Sequence, residues 1–396
     1  MTYPRLILLM AALTGMGQLG VGLYTPSMPA IGDHFGANDD QVRLTFSLFI
    51  LTLACAQLVV GPLSDHFGRK ISIQIGNLIF VLSSAVCAFA PGIGILITAR
   101  IAQGVGACVP VVVSRAVVRD VHEGADAARA LAAIGMVMAV APALGPTIGG
   151  IVQVTLGWRA VFVILTVLGV LALILTQHQL VETLPAVRRQ RFRLGRIMGT
   201  YATLLRDRLF MAYSAAVMFS LAGLGAYLAG APFVFIRTLG VSEPVFGAFS
   251  IINVGSFALG SAIATRLTGR MVSMPGMVVL GGALNLIGGV ALLLFILSGI
   301  LTAMTILIPL WLFFVGMGLL VPNAMAAAIN RYPDQAGLAS AMLGFLQFGG
   351  WGTAGLAVGL MGGEGPVAFS AVFAFVGTAA LAMFVLLHGL PRRFRP

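Results

Sequence analysis

The sequence predicts an all-α membrane protein of twelve transmembrane helices in two pseudo-symmetric six-helix bundles. Three observations predict it. Of the 396 residues, 59% are hydrophobic and only 9% charged, whereas soluble domains run near 25% charged; the mean hydropathy is +1.03. Apolar runs of about 20 residues recur along the whole chain, each long enough to cross a hydrocarbon core of roughly 30 Å. The longest polar segment, 179–209, falls at the midpoint with six such runs on either side.

The predicted spans are 6–29, 41–63, 72–90, 94–116, 129–151, 159–178, 210–236, 244–266, 274–297, 301–325, 337–361 and 366–390. The first lacks a short apolar region followed by a small-residue cleavage site, so it reads as a retained helix. Fifty glycines and eighteen prolines suit membrane helices that pack closely and bend. Alternate loops carry Arg69 and Lys70; Arg119 and Arg129; Arg188, Arg189, Arg191, Arg193, Arg196, Arg206 and Arg208; Arg266 and Arg270; Arg331; and, in the tail, Arg392, Arg393 and Arg395. The intervening loops hold only Arg43, Arg159 and Arg237. By the positive-inside rule both termini are cytoplasmic. The division is then an N-terminal bundle at 1–178, a cytoplasmic basic linker at 179–209 and a C-terminal bundle at 210–396. The linker reads as a tether, with an amphipathic segment on the inner leaflet where Arg meets anionic lipid, or as a regulatory element.

A net charge of +11 raises the question of nucleic acid, but the basic residues sit in short loops between apolar runs rather than on a soluble domain. Cys55, Cys87 and Cys108 lie in apolar runs with no CxxC pair, the pattern of packing residues rather than a disulfide or zinc framework. A P-loop needs its lysine after glycine; the single lysine, Lys70, follows Arg69. The five histidines, His34, His66, His122, His178 and His388, are far apart in sequence. Enzymatic catalysis, a cofactor and a metal site are therefore not expected.

Three stretches carry the chemistry. In GPLSDHFGRK, 61–70, Gly61 and Gly68 permit close approach and a tight turn, while Asp65 and Arg69 place opposite charges at a helix end. A carboxylate there meets the positive end of another helix, or simply belongs to a charged turn. In Arg100-Ile-Ala-Gln-Gly104, an arginine several residues inside the fourth span is costly and faces a cavity or a partner, or else snorkels to the near surface. Gln103 lies about one turn along and can share its face. In Ala141-Pro-Ala-Leu-Gly-Pro-Thr-Ile-Gly-Gly150, Pro142 and Pro146 each remove a backbone donor, and Gly145, Gly149 and Gly150 offer a smooth surface. That fits a kinked packing helix as well as a moving gate. Gly61 to Arg69 also aligns with Ala262 to Arg270 in the second half, with Gly68-Arg69 over Gly269-Arg270, while Asp65 falls over Arg266; at matching positions in two six-helix halves this faint repeat supports duplication.

These residues resemble the major facilitator superfamily. GPLSDHFGRK looks like its loop 2–3 signature, Arg100-x-x-Gln103-Gly104 like its fourth-helix motif, and Gly145-Pro146-x-x-Gly149-Gly150 like the fifth-helix motif of exporters. Within it the chain is similar to the Bcr/CflA branch of drug:proton antiporters, with further likeness in SRAVVRD (114–120), APFVFIRTLGVSEPVFG (231–247), PNAMAAAI (322–329) and AGLASAMLGFLQFGG (336–350). The resemblance implies two bundles rocking about a central cavity, with Asp65 held against the start of the eleventh helix near Gly337 in the outward-open state. The second-half copy has Arg266 where that latch needs an acid. Related exporters also commonly carry an acid four residues before the proline that corresponds to Pro26; here that residue is Gly22, and no Asp or Glu lies well inside a span.

The expected function is secondary active export of small amphipathic compounds by a monomer in the bacterial inner membrane, with protons as coupling ion and the lipid bilayer as its other partner. Gln18, Tyr24, Arg100, Gln103, Met218, Tyr227, Asn253, Trp311, Asn323 and Gln347 are the candidate cavity contacts, because aromatic and Met side chains give adaptable apolar contact and a few amides give orientation. For each, ordinary helix packing is the alternative. With Arg100 positive and no buried acid, neutral, zwitterionic or anionic substrates are expected over lipophilic cations, and Asp33 is the candidate proton site. A metabolite, organic-acid or siderophore-like transporter of the same fold is the alternative. A membrane sensor or enzyme is more remote, since no loop is long enough for an output domain.

Overall fold

Helix formation follows the apolar runs closely. The computed structural model of the chain describes residues 3–189, 192, 194–361 and 365–390, without the side chains at 3, 125, 128, 132, 139, 140, 142, 143, 188, 196 and 334. Arg191, Arg193, Arg392, Arg393 and Arg395, and the side chains of Pro142, Arg188 and Arg196, lie outside the described residues. In chain order the helices are α1 Tyr3–Gly22, α2 Met28–Phe35, α3 Asp39–Phe67, α4 Arg69–Ala88, α5 Ile93–Val121, α6 Gly124–Leu156 and α7 Trp158–Gln179. There follow α8 Leu194–Arg206, α9 Arg208–Pro232, α10 Glu243–Leu267, α11 Met274–Leu297, α12 Ala303–Asn330, α13 Ala336–Leu360 and α14 Pro366–His388. Among the described residues the only β pairing is an isolated bridge between Thr268 and Val272. Among the described residues, ten helical stretches are long and apolar enough to cross a membrane, with α1 and α2 counted as the single stretch Pro4–Phe35. The remaining long helices, α6 and α13, are richer in small residues at 33 and 25 residues.

The first predicted span, 6–29, is not one continuous helix. Pro26 and Pro29 lack an N–H, and a proline ring inside a helix collides with the carbonyl four residues back, here that of Gly22. The chain responds with a 3₁₀ turn at Thr25–Ser27 between α1 and α2. The freed Gly22 carbonyl accepts instead from Thr25 Oγ1 at 2.9 Å.

By contact clustering the chain forms two units, Met1–Leu194 with Glu243–Gly247, and Gly195–Ser242 with Ala248–Pro396. The predicted linker thus divides between them. In the first unit, a Cβ on Gly106 would meet Phe80 N at 2.6 Å, so α5 and α4 touch backbone to backbone. In the second, a Cβ on Gly281 would meet Gly316 O at 2.5 Å and one on Gly316 would meet Gly281 O at 2.6 Å. Small residues at such crossings let van der Waals packing hold membrane helices together. Helix α9 is buried along most of its length within its unit, and its last turn widens into a π-helix at Phe233–Thr238.

The linker helix α8 turns Tyr201 and Leu204 inward, while Leu194, Met198 and Leu205 stay exposed. Burial pushes the Tyr201 phenol up to about 12. The junction into α9 is fixed by Asp207, which caps the helix by accepting from Leu209 N at 2.8 Å and Phe210 N at 3.3 Å. Its other oxygen accepts from Tyr332 Oη at 2.7 Å and Arg331 Nε at 3.2 Å. Burial opposes its charge, but the bonds from Tyr332, the two backbone N–H groups and Arg331 hold this carboxyl below the usual carboxylate range.

Candidate functional site

In the first unit three of the predicted site residues meet around one cation. Arg100 on α5 is fully buried. Its Nη1 donates to Gly20 O at 3.1 Å and to Gln103 Oε1 at 2.5 Å, and its Nε donates to Thr45 O at 3.3 Å. The guanidinium carbon lies 3.9 Å from the Phe49 ring centroid and 4.2 Å from that of Tyr24, with Phe162 at 6.0 Å. Aromatic faces attract such a cation electrostatically. Thr45 Oγ1 gives its own hydrogen to Val42 O at 2.6 Å, so the Tyr24 hydroxyl, 3.1 Å away, is the donor of that pair. Gln103 Nε2 continues the chain to Ser84 Oγ at 2.7 Å, and Ser84 to Phe80 O at 2.6 Å.

None of the groups that Arg100 touches is a carboxylate, and its Nη2 has no hydrogen-bond partner among the described residues. The charge is held by carbonyls, an amide and ring faces alone. Gln18, on α1, is also buried with its Nε2 unpartnered. Sequence reasoning does not single out Thr45, Phe49, Ser84 or Phe162. Their apolar or hydroxyl character gives no local signal, and they reach Arg100 only through the packing of α3 and α4 on α5 and of α7 on α4 and α1.

The GPLSDHFGRK stretch forms a second cluster at the turn between α3 and α4. Arg69 pairs with Asp65 at 2.6 Å and with Asp120 at 2.8 Å, and donates to Ser64 Oγ at 2.6 Å. Glu182, from the start of the linker, accepts from the backbone N–H of Arg69 at 2.9 Å and of Lys70 at 3.3 Å. It caps α4 from more than a hundred residues away. Thr183 Oγ1 adds a bond to Asp120 at 3.3 Å. Gly68 has φ +106°, and a Cβ there would collide with the Glu182 carboxylate. Only glycine serves both demands. Gly269 in the second half also has positive φ, +77°, while Gly61 faces open space.

The fifth-span glycines make the seam between α6 and α1. A Cβ on Gly145 would meet Gly22 C at 2.9 Å and Gly22 Cα at 3.0 Å, and one on Gly149 would collide with Leu23 O. Gly150 leaves no room for a Cβ beside Glu243 O. Thr147 Oγ1 donates to Gly247 O at 2.8 Å, so this part of α6, with Pro146 in it, meets the five-residue stretch that groups with the first unit. Asp33 is exposed in the last turn of α2.

In the second unit Tyr227 is buried, with its hydroxyl 3.2 Å from Ser250 Oγ and its ring 5.9 Å from Phe314. Asn253, one turn beyond Ser250, is buried with neither amide atom hydrogen-bonded, and the half-buried Trp311 has an unpartnered Nε1. Asn323 is tied into the helix contacts: its Nδ2 donates to Leu319 O at 2.9 Å and its Oδ1 accepts from Thr268 Oγ1 at 3.0 Å. Met218 and Gln347 are half-buried, and the Met218 carbonyl abuts Gly350.

Comparison with known proteins agrees with these motifs. Residues 10–355 match the Major Facilitator Superfamily. An uncharacterized MFS-type transporter, YdgK of Bacillus subtilis (strain 168), is 33% identical over 86% of this chain and 85% of its own length. A bicyclomycin resistance protein homolog of Haemophilus influenzae is 30% identical over 86% and 85%, and multidrug resistance protein D of Escherichia coli is 28% identical over 98% and 93%. Among solved structures, the xylose transporter XylE of E. coli, in a partially occluded inward open conformation, superposes with a TM-score of 0.75 at 14% identity over 99% of this chain and 98% of its own. With its recurrent membrane-length helices and the signature turn in place, the chain is a multi-pass membrane transporter that belongs to the Major Facilitator Superfamily.

Proposed function

We propose that this transporter exports small amphipathic compounds across a bacterial inner membrane by alternating access. It works as a monomer with both termini cytoplasmic and the 179–209 linker on the inner leaflet. Relatives named for bicyclomycin, chloramphenicol and multidrug resistance support the export reading. The observation that carries the substrate preference is Arg100, a buried cation with no carboxylate among its contacts. Its uncompensated field in a low-dielectric bundle disfavours other cations. Neutral, zwitterionic and anionic compounds are the substrates, and lipophilic cations are not. Efflux from proteoliposomes, with and without an imposed pH gradient, tests this across compounds of differing charge; equal export of an ethidium-like cation and a neutral drug would overturn it.

Protons are the coupling ion in this reading, and Asp33 carries them at the outer mouth. Asp33→Asn should lose gradient dependence, and full retention would remove Asp33 from the pathway. A second reading has a specific support: Arg100 Nη2 has no hydrogen-bond partner among the described residues, as a group that anchors an organic-acid metabolite would. Saturable exchange of carboxylates with no export of neutral drugs would favour it.

A further inference from the structure

The inward face of α10 contains an amide whose nitrogen and oxygen make no hydrogen bond among the described residues. Phe246, Ser250, Asn253, Gly260 and Ala264 are buried at spacings of four, three, seven and four, which is one side of a helix. That side meets α12 in parallel register. Gly260 stands against Val315 and Gly318, Ser261 Oγ donates to Gly318 O at 3.3 Å, Ala264 clusters with Leu319, and Thr268 bonds Asn323. Carried two turns back along both helices, the same register sets Asn253 level with the turn that bears Trp311.

Near that level, the polar atoms without a hydrogen-bond partner among the described residues belong to these two residues and to Trp351. The Tyr227 hydroxyl has Ser250. The Asn253 amide lies beside that hydroxyl, yet neither its Nδ2 nor its Oδ1 is in hydrogen-bonding geometry, and Trp311 Nε1 is likewise unpartnered. Buried polar atoms are nearly always paired, and a leucine would fill such a position without penalty. An unpaired carboxamide offers one donor and one acceptor side by side, the complement of another carboxamide edge.

We propose that Asn253 and Trp311 form a subsite for the neutral amide edge of a substrate: a carboxamide, lactam or imide. Asn253 Nδ2 donates to its carbonyl, Oδ1 accepts its N–H, and the indole N–H serves a second acceptor. The Tyr227 and Phe314 rings supply the apolar wall beside it. The proposal rests on the small-molecule transport reading and names the chemistry that one half of the carrier selects.

The test is equilibrium binding to the purified full-length protein in nanodiscs, without any gradient, of a neutral aryl lactam and the matching lactone, which lacks the N–H. The lactam should bind roughly tenfold tighter. Asn253→Leu should abolish the lactam's advantage, weakening the lactam through both lost bonds and the lactone less, through the lost carbonyl bond alone. Trp311→Phe, which removes the N–H donor together with one ring, should weaken an imide several-fold more than the lactam, the shared loss of ring contact cancelling in the comparison. An unchanged lactam-to-lactone ratio in Asn253→Leu, an equal loss of both ligands, or no binding of either by the unaltered protein would overturn the subsite. Intact discrimination with no export of the lactam would support the subsite and overturn the export reading instead.

Discussion

The Glu182 cap and the Gly68 turn make a paired prediction, because each explains the other. Glu182→Ala removes a carboxylate that accepts two backbone N–H groups at the start of α4, at 2.9 and 3.3 Å. A charged cap of this kind contributes roughly 1–2 kcal/mol through its bonds and the helix dipole. The Arg189 pair at 3.9 Å, about a third exposed, adds almost nothing. Gly68→Ala imposes a φ of +106° on a residue with a Cβ, about 1–3 kcal/mol, and also drives the carboxylate off the cap. Once the added methyl has displaced Glu182, removing the carboxylate costs little more. The double variant should therefore fall about 1 kcal/mol short of the sum of the singles. Thermal unfolding of the purified protein reads this at roughly 2–4 °C per kcal/mol for a unit of this size. Strict additivity, within about 0.3–0.5 kcal/mol, would refute the claim that the linker carboxylate is what Gly68 makes room for.

Arg100→Lys keeps the charge but cannot bond both Gly20 O and Thr45 O while lying flat between two rings; we expect at least a tenfold loss of transport with normal membrane insertion, read in proteoliposomes. Asp207→Asn should lower stability by about 1–2 kcal/mol at neutral pH through loss of the charged cap. Because the folded carboxyl is held below its ordinary value, the contribution of Asp207 is fully present above the ordinary aspartate range and disappears as pH falls through the lower folded value. The difference between Asp207→Asn and the unaltered protein, followed by thermal melts against pH, should shrink only on that acid side.

The membrane helices are legible in the sequence because a span is a local property: about 20 apolar residues must sit together to cross the bilayer. The observed ends of α10 and α11, Glu243–Leu267 and Met274–Leu297, lie within a residue of the predicted 244–266 and 274–297. Pro26 and Pro29 signal the break after Gly22, although the predicted span runs through it. Arg100 announces itself as a charge in an apolar run. Its cage does not, because Phe49 and Phe162 look like any membrane phenylalanine until α3 packs against α5 and α7 against α4 and α1. Glu182 is the clearest omission. A glutamate in a polar linker is ordinary in sequence, and its partners at Arg69 and Lys70 are set by the tertiary path of the chain after α7.

Gly22 marks where related exporters commonly carry an acid, and the geometry gives a physical reason for its absence here. Gly20 and Tyr24 both reach the Arg100 cage, through the Gly20 carbonyl at 3.1 Å and the Tyr24 ring at 4.2 Å. Residue 22 lies about 200° around the helix from residue 20, and the Gly145 backbone of α6 packs against it. An aspartate at 22 would therefore enter the α1–α6 seam, pointing away from Arg100, the buried cation beside α1 that would stabilise its charge. Gly22→Asp should destabilise the first unit by at least about 2 kcal/mol, from overpacking and an unpaired buried carboxyl, and should not sharpen the dependence of transport on the pH gradient. Wild-type melting together with a newly steep proton dependence would sink this account, and would mean that α1 can rotate an acid toward Arg100. Otherwise, retained proton dependence in the unaltered protein would run through residues outside the α1–α5 contact, because the glycine seam leaves no room for an acid at 22.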